Sequence, residues 1–264
     1  MHMFKVIFTD LDGTLLDENY RCNEAIEVIE KLKELKIPIV FVSAKTRFEQ
    51  EIFRKMLGIE DPFIVEDGSA IYIPKEYFRF DLKMRVEKRD NYDVIVLGVY
   101  VDEILKLIDK IREKFYLRCY SCMSVEEVAK LTGLSFEMAE LAKRREFSET
   151  IVEADKFALK YLKDHFNVQI GGKFIHVYGK GADKGRAVRI LTEIYRKNYS
   201  NVLTIGIGNS YTDIDMLRVV DIPALVKNRD GWIEVDFEVY KANGIATQGW
   251  IEVVKKFVLS NNMR

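Results

Sequence analysis

Short apolar runs alternate with helix-like segments at both ends of the chain. Residues 4–8 form an almost wholly apolar run, residues 37–42 and 63–65 form two more, and amphipathic segments lie between them. Runs of this kind are typical of parallel strands that are buried on both faces. The alternation resumes after Gly181, with a further predicted strand at 202–205. The pattern predicts an α/β fold whose core is a doubly wound, Rossmann-like parallel sheet.

The middle of the chain has a looser pattern. A strand-like run at 94–100 precedes a predicted helix at 102–115, and residues 124–127 form a capping box that begins another helix. With 264 residues, of which 48% are hydrophobic, the chain is long enough for more than one domain. We expect a core that is interrupted by a smaller inserted α/β cap domain. The expected limits are 1–81 and 173–264 for the core and 82–172 for the cap.

Charge and hydropathy exclude two kinds of partner. Lysine plus arginine number 41 and aspartate plus glutamate 42, so the net charge of −1 gives no overall field that would attract a nucleic acid. No apolar run approaches the roughly 20 residues that span a bilayer, and the first residues lack the pattern of a signal peptide. We therefore expect a cytoplasmic protein without a membrane partner.

Two aspartates stand where the first predicted strand ends. Asp10 and Asp12 follow the apolar run directly, and Gly13 allows a tight turn after them. Ligands of an open parallel sheet bind beyond the carboxyl ends of its strands, and Ser43 stands at that end of the second run. Two acids at such an edge suit a hard cation and covalent catalysis. The alternative is that both are solvated turn residues, which are common in Asp-Gly sequences.

Four short motifs occur in order along nearly the whole chain. They are Asp10-Leu11-Asp12-Gly13-Thr14, then Ser43, then Lys184, then the loop 208–213 with the sequence Gly-Asn-Ser-Tyr-Thr-Asp. Together they resemble the haloacid dehalogenase superfamily of phosphotransferases, whose first motif is DxDGT after an apolar strand. Ser43 or Lys184 alone would be more typical of a structural residue. In combination with the two aspartates they indicate a site for phosphoryl transfer.

The resemblance implies a role for each motif. Asp10 is expected to attack phosphorus and form an aspartyl-phosphate, while Asp12 acts as general acid and then as general base. Ser43 and Lys184 are expected to bind the phosphoryl oxygens. The implied cofactor is Mg²⁺, with ligands from the first and fourth motifs. These ligands are Asp10, Asp12 through its carbonyl oxygen, Asn209 and Asp213.

One position departs from the superfamily pattern. The fourth motif normally has an aspartate as metal ligand where this chain has Asn209, and Thr212 replaces a neighbouring asparagine, although Asp213 is present. An amide oxygen can bind Mg²⁺ but carries no charge. We expect weaker metal affinity than is usual in the superfamily, or compensation by Asp213. The alternatives are a catalytically weakened protein and one that only binds a phosphorylated ligand.

The position of the insertion indicates the type of cap. It lies between the second and third motifs, as in superfamily phosphatases with a large α/β cap, and residues 66–70 resemble their ENG-type loop. The usual substrates of those proteins are sugar phosphates. Four stretches resemble a subfamily that acts on a phosphorylated sugar-glycerate, a small molecule with a phosphate, a carboxylate and a neutral hexose. These stretches are 43–47, 62–68, 145–150 and 171–176.

The subfamily resemblance implies a set of substrate-binding residues with cationic, polar or small side chains. They are Lys45, Thr46, Arg47, Arg145, Ser148, Gly172, Lys173 and His176. Arg145 could instead be a favourable cation at a helix end, Arg47 could pair with acids of its own helix, and His176 could be a packed strand histidine. Other sugar phosphatases, including one with a glucosyl substrate, and a phosphomannomutase remain alternatives. The protein is expected to be a monomer or a homodimer.

Overall fold

The computed structural model describes residues 3–80 and 82–260, which form three β-sheets surrounded by helices. The strands are β1 (Phe4–Thr9), β2 (Ile39–Phe41), β3 (Phe63–Val65), β4 (Ala70–Pro74), β5 (Glu87–Arg89), β6 (Tyr92–Val96), β7 (Leu117–Cys119), β8 (Ser148–Ala154), β9 (Asn167–Gly171), β10 (Phe174–Tyr178), β11 (Val202–Gly208), β12 (Ile222–Lys227) and β13 (Tyr240–Ile245). The α-helices are α1 (Ile26–Glu34), α2 (Arg47–Leu57), α3 (Val101–Arg112), α4 (Val125–Thr132), α5 (Phe136–Lys143), α6 (Lys156–His165), α7 (Lys184–Asn198), α8 (Ile214–Leu217) and α9 (Thr247–Val254). Within the described ranges, no helix has both the length and the apolar character needed to cross a membrane.

Five parallel strands form the central sheet, in the order β13-β12-β11-β1-β2. Successive residues of β1 point to opposite faces. Ile7 packs in one cluster with α1, α2 and α9, whereas Phe8 packs in a second cluster with α7 and α8. Helices therefore cover both faces, which is why the strands have continuous apolar sequences. The predicted doubly wound parallel sheet is confirmed.

An antiparallel sheet continues the core beyond β2. Its order is β3-β4-β6-β5, and a parallel bridge between Val42 and Ile64 joins it to the central sheet. Strand β4 pairs with β6 along the whole of both strands. This sheet therefore crosses the expected domain limit at 81 and 82, and the strand predicted at 94–100 lies in the sheet next to the core.

The third sheet contains the inserted segment. Its order is β7-β8-β10-β9 with antiparallel pairing, and α3 and α6 pack on it around Ile104, Ile151 and Leu162. Helices α4 and α5 pack against each other beside it. Because β10 pairs with β8 and β9, this sheet extends past the expected limit at 172 and 173. From the strand pairing we propose limits near residues 97 and 179 for the cap.

Two linkers connect the cap to the core, and they touch each other at glycines. A methyl group on Gly179 would lie 2.9 Å from the Gly98 Cα atom and 2.7 Å from the Val99 nitrogen. A methyl group on Gly181 would lie 2.7 Å from the carbonyl oxygen of Leu97. Glycine is needed in these linkers because the facing backbone leaves no space for a side chain.

The helix ends follow the sequence signals only in part. Ser124 and Glu127 form the predicted capping box of α4, and Gly133 ends that helix in the left-handed conformation. The sequence also predicts Asn23 as the cap of α1, but Asn23 begins a 3-10 turn and makes no side-chain cap. The α-helix starts only after that turn, so Ile26 lies in its first turn and is 46% exposed.

The central sheet makes a testable contribution to stability. Phe41 of β2 is fully buried in the cluster beneath α1 and α2, so Phe41→Ala should lower the free energy of unfolding by about 3–5 kcal/mol. Phe136, which is 49% exposed at the start of α5, provides the matched control, and Phe136→Ala should change it by less than about 1 kcal/mol. Denaturant titration measures both, and equal losses would contradict the packing described above.

Candidate active site

A buried ion cluster lies at the carboxyl ends of β1 and β11. The Lys184 ammonium is 2.9 Å from Asp10 Oδ1 and 2.7 Å from Asp213 Oδ1. Asp10 directly follows β1, Lys184 is the first residue of α7, and Asp213 lies in the loop after β11. All three side chains are buried. The structure thus brings together residues that are more than two hundred positions apart in the sequence.

The negative charge of this cluster exceeds its positive charge. Burial and the nearby Asp213 carboxylate together raise the pKa of Asp10 to about 7, although Lys184 acts in the opposite direction. Burial alone would lower the pKa of Lys184, but Asp10 and Asp213 outweigh it and hold that pKa above its usual range. One ammonium is therefore shared by two carboxylates, and a bound cation would stabilise the ionised form of Asp10.

Asp12 points away from this cluster toward a second one. Its Oδ2 atom lies 3.0 Å from the Lys45 ammonium, which is also 3.6 Å from Glu49 Oε1. Lys45 and Glu49 are buried, whereas the Asp12 side chain is 49% exposed. Asp12 is thus held at the edge of the site, where a proton donor can reach both solvent and a leaving group. Lys45 lies where we predicted it, but its charged contacts are protein carboxylates.

The fourth motif places the Asn209 amide with its oxygen toward Asp10. The Asn209 Nδ2 atom donates to Asn228 Oδ1 at 3.0 Å, and Asn228 Nδ2 donates in return to the Asn209 carbonyl oxygen at 2.8 Å. The Thr14 hydroxyl lies 3.2 Å from Asn209 Oδ1 and 3.4 Å from Asp10 Oδ2. Asn228 therefore fixes the amide orientation, and both Asn209 Oδ1 and Asp10 Oδ2 lie within hydrogen-bond distance of the Thr14 hydroxyl.

These oxygens fit Mg²⁺ by their chemistry. Asp10 Oδ2, Asn209 Oδ1 and, by resemblance, the Asp12 carbonyl oxygen are hard donors next to uncompensated negative charge. Across residues 3–80 and 82–260, no group of three His, Cys, Asp or Glu side chains could hold a metal ion, so a Mg²⁺ ion here would have to be bound in part by an amide and a backbone carbonyl.

Asp213, which we predicted as a metal ligand, has hydrogen-bond partners at both carboxylate oxygens. Its Oδ1 atom accepts from Lys184, and its Oδ2 atom accepts from the backbone N–H groups of Asn209 and Ser210 and from the Ser210 hydroxyl. Both oxygens are thus used in holding Lys184 and the fourth-motif loop. These contacts give Asp213 a structural role in the site, and its role as a metal ligand stays a prediction.

The cap covers these groups and encloses a cavity of about 370 Å³. The core side of the cavity is lined by Asp10, Asp12, Ser43, Lys45, Lys184 and Asn209. The cap side is lined by Tyr120, Leu134, Arg145, Gly172, Lys173, Phe174 and His176. Of the predicted substrate-binding residues, Lys45, Arg145, Gly172, Lys173 and His176 therefore share one cavity with the predicted catalytic aspartates. Gly172 forms the turn between β9 and β10 with a φ of 58°.

Three predicted substrate-binding residues lie outside this cavity lining. Thr46 caps α2 through the Glu49 backbone N–H and donates its hydroxyl proton to the carbonyl oxygen of Leu141 in the cap. Arg47 points to the other side of α2, where it pairs with Asp90 at 2.9 Å. Ser148 is fully buried and donates to a carboxylate of the core. Adjacency in sequence to a cavity residue does not give the direction of these side chains.

The loop between β3 and β4 contacts the backbone segments that carry Ser43 and Lys184. Glu66, Asp67 and Gly68 have φ values of 49°, 59° and 88°, and a left-handed backbone costs a non-glycine residue about 1–2 kcal/mol. The N–H groups of Glu66 and Asp67 donate to the carbonyl oxygens of Lys45 and Ser43. A methyl group on Gly68 would lie only 2.2 Å from the Asp183 backbone. The loop therefore contacts both the Ser43 segment and the start of α7.

Several residues of the site carry a weak sequence signal. Thr14 belongs to the first motif, but the resemblance implies no role for it. Asn228 directly follows β12 and belongs to none of the four motifs. Tyr120 lines the cavity from the cap, in a segment where the sequence predicts no functional residue. Its position depends on the pairing of β7 with β8, which no local pattern shows.

The family comparison supports the motif assignment. The sequence profile of the haloacid dehalogenase-like hydrolases matches residues 7–231, a span that includes all four motifs. The chain belongs to the haloacid dehalogenase-like hydrolase family. The resemblance inferred from the motifs is thereby confirmed.

Relatives with assigned names cover most of the chain. The glucosyl-3-phosphoglycerate/mannosyl-3-phosphoglycerate phosphatase of Persephonella marina is 43% identical over 258 residues, which are 94% of this chain and 95% of the relative. The mannosyl-3-phosphoglycerate phosphatase of Pyrococcus horikoshii is 41% identical over 221 residues, or 83% and 89% of the two chains. A haloacid dehalogenase-like hydrolase of B. subtilis has a similar fold, with a TM-score of 0.66 and 14% identity over 96% of this chain and 99% of that one.

The metal site can be tested at Asn209. Because a carboxylate adds a charge to the donor set, Asn209→Asp should raise the Mg²⁺ affinity of the purified protein about tenfold in a calorimetric titration. The loss of the hydrogen bond to Asn228 Oδ1 will offset part of this gain. Asn243 is exposed and does not line the cavity, so Asn243→Asp adds the same charge as a control and should leave the affinity unchanged. An unchanged isotherm for Asn209→Asp would remove Asn209 from the ligand set.

Proposed function

We propose that the protein is a Mg²⁺-dependent phosphatase that releases phosphate from mannosyl-3-phosphoglycerate and also accepts the glucosyl compound. The observation that carries this proposal is the Asp10–Lys184 pair, which lies in a cavity whose other wall presents cap cations. The relatives named for these two substrates, at 43% and 39% identity over 94% and 98% of this chain, support the same substrate class.

The first chemical step is transfer of the phosphoryl group to Asp10. A carboxylate oxygen of Asp10 attacks phosphorus, the bond from phosphorus to the glycerate oxygen breaks, and Asp12 gives its proton to that departing oxygen. Ser43 and Lys184 bind phosphoryl oxygens during this step. The Ser43 hydroxyl is suited to this role because its oxygen accepts the Lys45 N–H at 3.2 Å and its proton stays available.

The second step returns the enzyme to its starting form. Asp12 takes a proton from water, the water oxygen attacks phosphorus, and the bond to the Asp10 oxygen breaks to release phosphate. When bound, Mg²⁺ neutralises the repulsion between the Asp10 carboxylate and the dianionic phosphate. Lys45 holds Asp12 at the cavity edge through both steps.

The substrate has groups that suit the remaining walls. The cavity volume of about 370 Å³ lies in the range of small-molecule sites. Arg145, Lys173 and His176 line its cap side and offer donors for a carboxylate and for hexose hydroxyls. We place this activity in the cytoplasm, with a monomer or homodimer acting on a small molecule and with neither nucleic acid nor membrane as partner.

A phosphate-release screen with Mg²⁺ tests the proposal. The purified protein should release phosphate from mannosyl- and glucosyl-3-phosphoglycerate faster than from hexose phosphates. Asp10→Asn should lower the rate at least about 10⁴-fold because it removes the nucleophile. Asp236→Asn, at an exposed acid outside the cavity, is the control and should keep the wild-type rate.

Two results would redirect the proposal. Binding of these compounds without any phosphate release would favour the phosphate-ligand binder that Asn209 leaves open. Transfer of phosphate between sugar hydroxyls in the presence of an activating bisphosphate, without free phosphate, would favour a mutase.

A further inference from the structure

Two adjacent buried acids, Glu66 and Asp67, have no part in the chemistry described above. They lie in the left-handed loop after β3, whose backbone is fixed to the Ser43 segment and to the start of α7. Their exposed fractions are 0% and 1%, so neither carboxylate is solvated. A left-handed loop with two buried carboxylates is stable only when neighbouring donors compensate for the backbone strain and for the lost solvation. For Glu66 and Asp67, the hydrogen-bond donors to the side chains come from the cap.

The Glu66 side chain binds the segment that carries Arg145. Its oxygens accept the backbone N–H groups of Glu146 at 2.9 Å and Phe147 at 3.0 Å, and the Ser148 hydroxyl at 2.5 Å. The Ser148 oxygen in turn accepts Arg145 Nε at 2.9 Å, and Glu66 Oε2 lies 3.8 Å from the same nitrogen. Glu66 thus holds Arg145 both directly, by charge, and through Ser148.

Arg145 is left with one unused nitrogen. Its Nη2 atom donates to the carbonyl oxygen of Ala44, next to Ser43, at 2.7 Å. Its Nη1 atom donates no hydrogen bond to any part of the chain that the structure describes, while the residue lines the cavity. The guanidinium is therefore fixed at two points and has a free N–H group available for a ligand.

Asp67 binds His176 in a similar way. Its Oδ2 atom lies 2.7 Å from His176 Nδ1, and its Oδ1 atom is buried without a hydrogen-bond partner among the described residues. Asp67 Oδ2 accepts the proton of His176 Nδ1, and this contact directs the opposite nitrogen, Nε2, away from Asp67. Nε2 is a donor in the imidazolium form, in which both ring nitrogens carry a proton. His176 lines the cavity, and its Nε2 atom makes no hydrogen bond within residues 3–80 and 82–260.

We propose that Glu66 and Asp67 are positioning residues that orient Arg145 and His176, so that Arg145 Nη1 and the Nε2–H group of His176 in its imidazolium form together bind the second anionic group of the substrate. This inference rests on the proposed function, in which that group is the glycerate carboxylate. In that function the phosphate is bound by the core residues Ser43 and Lys184, so the unused donors of the cap pair are free for the carboxylate. One loop of the core thereby orients two cap side chains, Arg145 and His176, that are 31 positions apart in the sequence.

The alternative is that the two acids only attach the cap to the core. A purely structural role would weaken the hydrolysis of every substrate alike, because cap closure is common to all of them. A positioning role affects only substrates that have the carboxylate. The comparison of a glycosyl-3-phosphoglycerate with p-nitrophenyl phosphate, which has a phosphate ester but no carboxylate, separates the two roles.

Steady-state kinetics of Glu66→Gln and Asp67→Asn provide the test. Each variant should raise the KM for the glycosyl-3-phosphoglycerate about tenfold or more while kcat stays within about threefold, because binding in ground and transition states is lost equally. The KM for p-nitrophenyl phosphate should not change. The control is Asp61→Asn, a half-buried acid outside the cavity lining that accepts from the Ile39 N–H and the Tyr77 hydroxyl. It should lower the melting temperature without changing the ratio of the two KM values.

Double-mutant cycles give the second readout. Asp67→Asn should add less than about twofold to the KM of His176→Gln, and Glu66→Gln less than about twofold to that of Arg145→Met, since each acid acts through its partner. Additive effects, or equal losses on both substrates, would overturn the inference. A wild-type protein that cleaves p-nitrophenyl phosphate but not the glycosyl-3-phosphoglycerates would instead overturn the proposed substrate.

Discussion

The buried ammonium of Lys184 is the contact on which the rest of the site depends. It stands at the first position of α7, where the helix dipole disfavours a positive charge, and it is removed from water. Asp10 and Asp213 compensate for both costs, and in doing so they fix the ends of β1 and β11 relative to α7. Loss of one member of such a cluster leaves an uncompensated charge in the interior, which typically costs about 3–5 kcal/mol.

Charge pairing continues around the cavity. Lys45 faces Asp12 and Glu49, Arg145 faces Glu66, and His176 faces Asp67. An anionic ligand therefore has to compete with carboxylates already in place, and net positive charge alone does not attract it. A site of this kind selects ligands by the position of their acceptor atoms, because only donors without a partner in the protein can form new hydrogen bonds to a ligand. This property suits an enzyme that must reject the many other phosphate esters of a cell.

The sequence predicts the chemistry of the core better than the geometry of the cap. Buried parallel strands have continuous apolar sequences, so the position of Asp10 at a strand end could be predicted from residues 4–13 alone. The pairing of β4 with β6, on which our proposed cap limit rests, joins segments about 20 residues apart and has no local signature. Thr46 and Arg47 follow Lys45 directly, yet the turn into α2 directs each to a different neighbour. The motif also does not reveal that both oxygens of Asp213 already accept hydrogen bonds, from Lys184 and from the backbone of the fourth-motif loop.

The neutral amide of Asn209 also affects the metal-free protein. An aspartate there would place a further negative charge beside Asp10 and Asp213, and the folded chain would then depend on a cation to relieve the repulsion. The neutral side chain, held by Asn228, removes that dependence. Folding would then not require the proposed Mg²⁺, and the metal-free protein is expected to have the same fold as the metal-bound form.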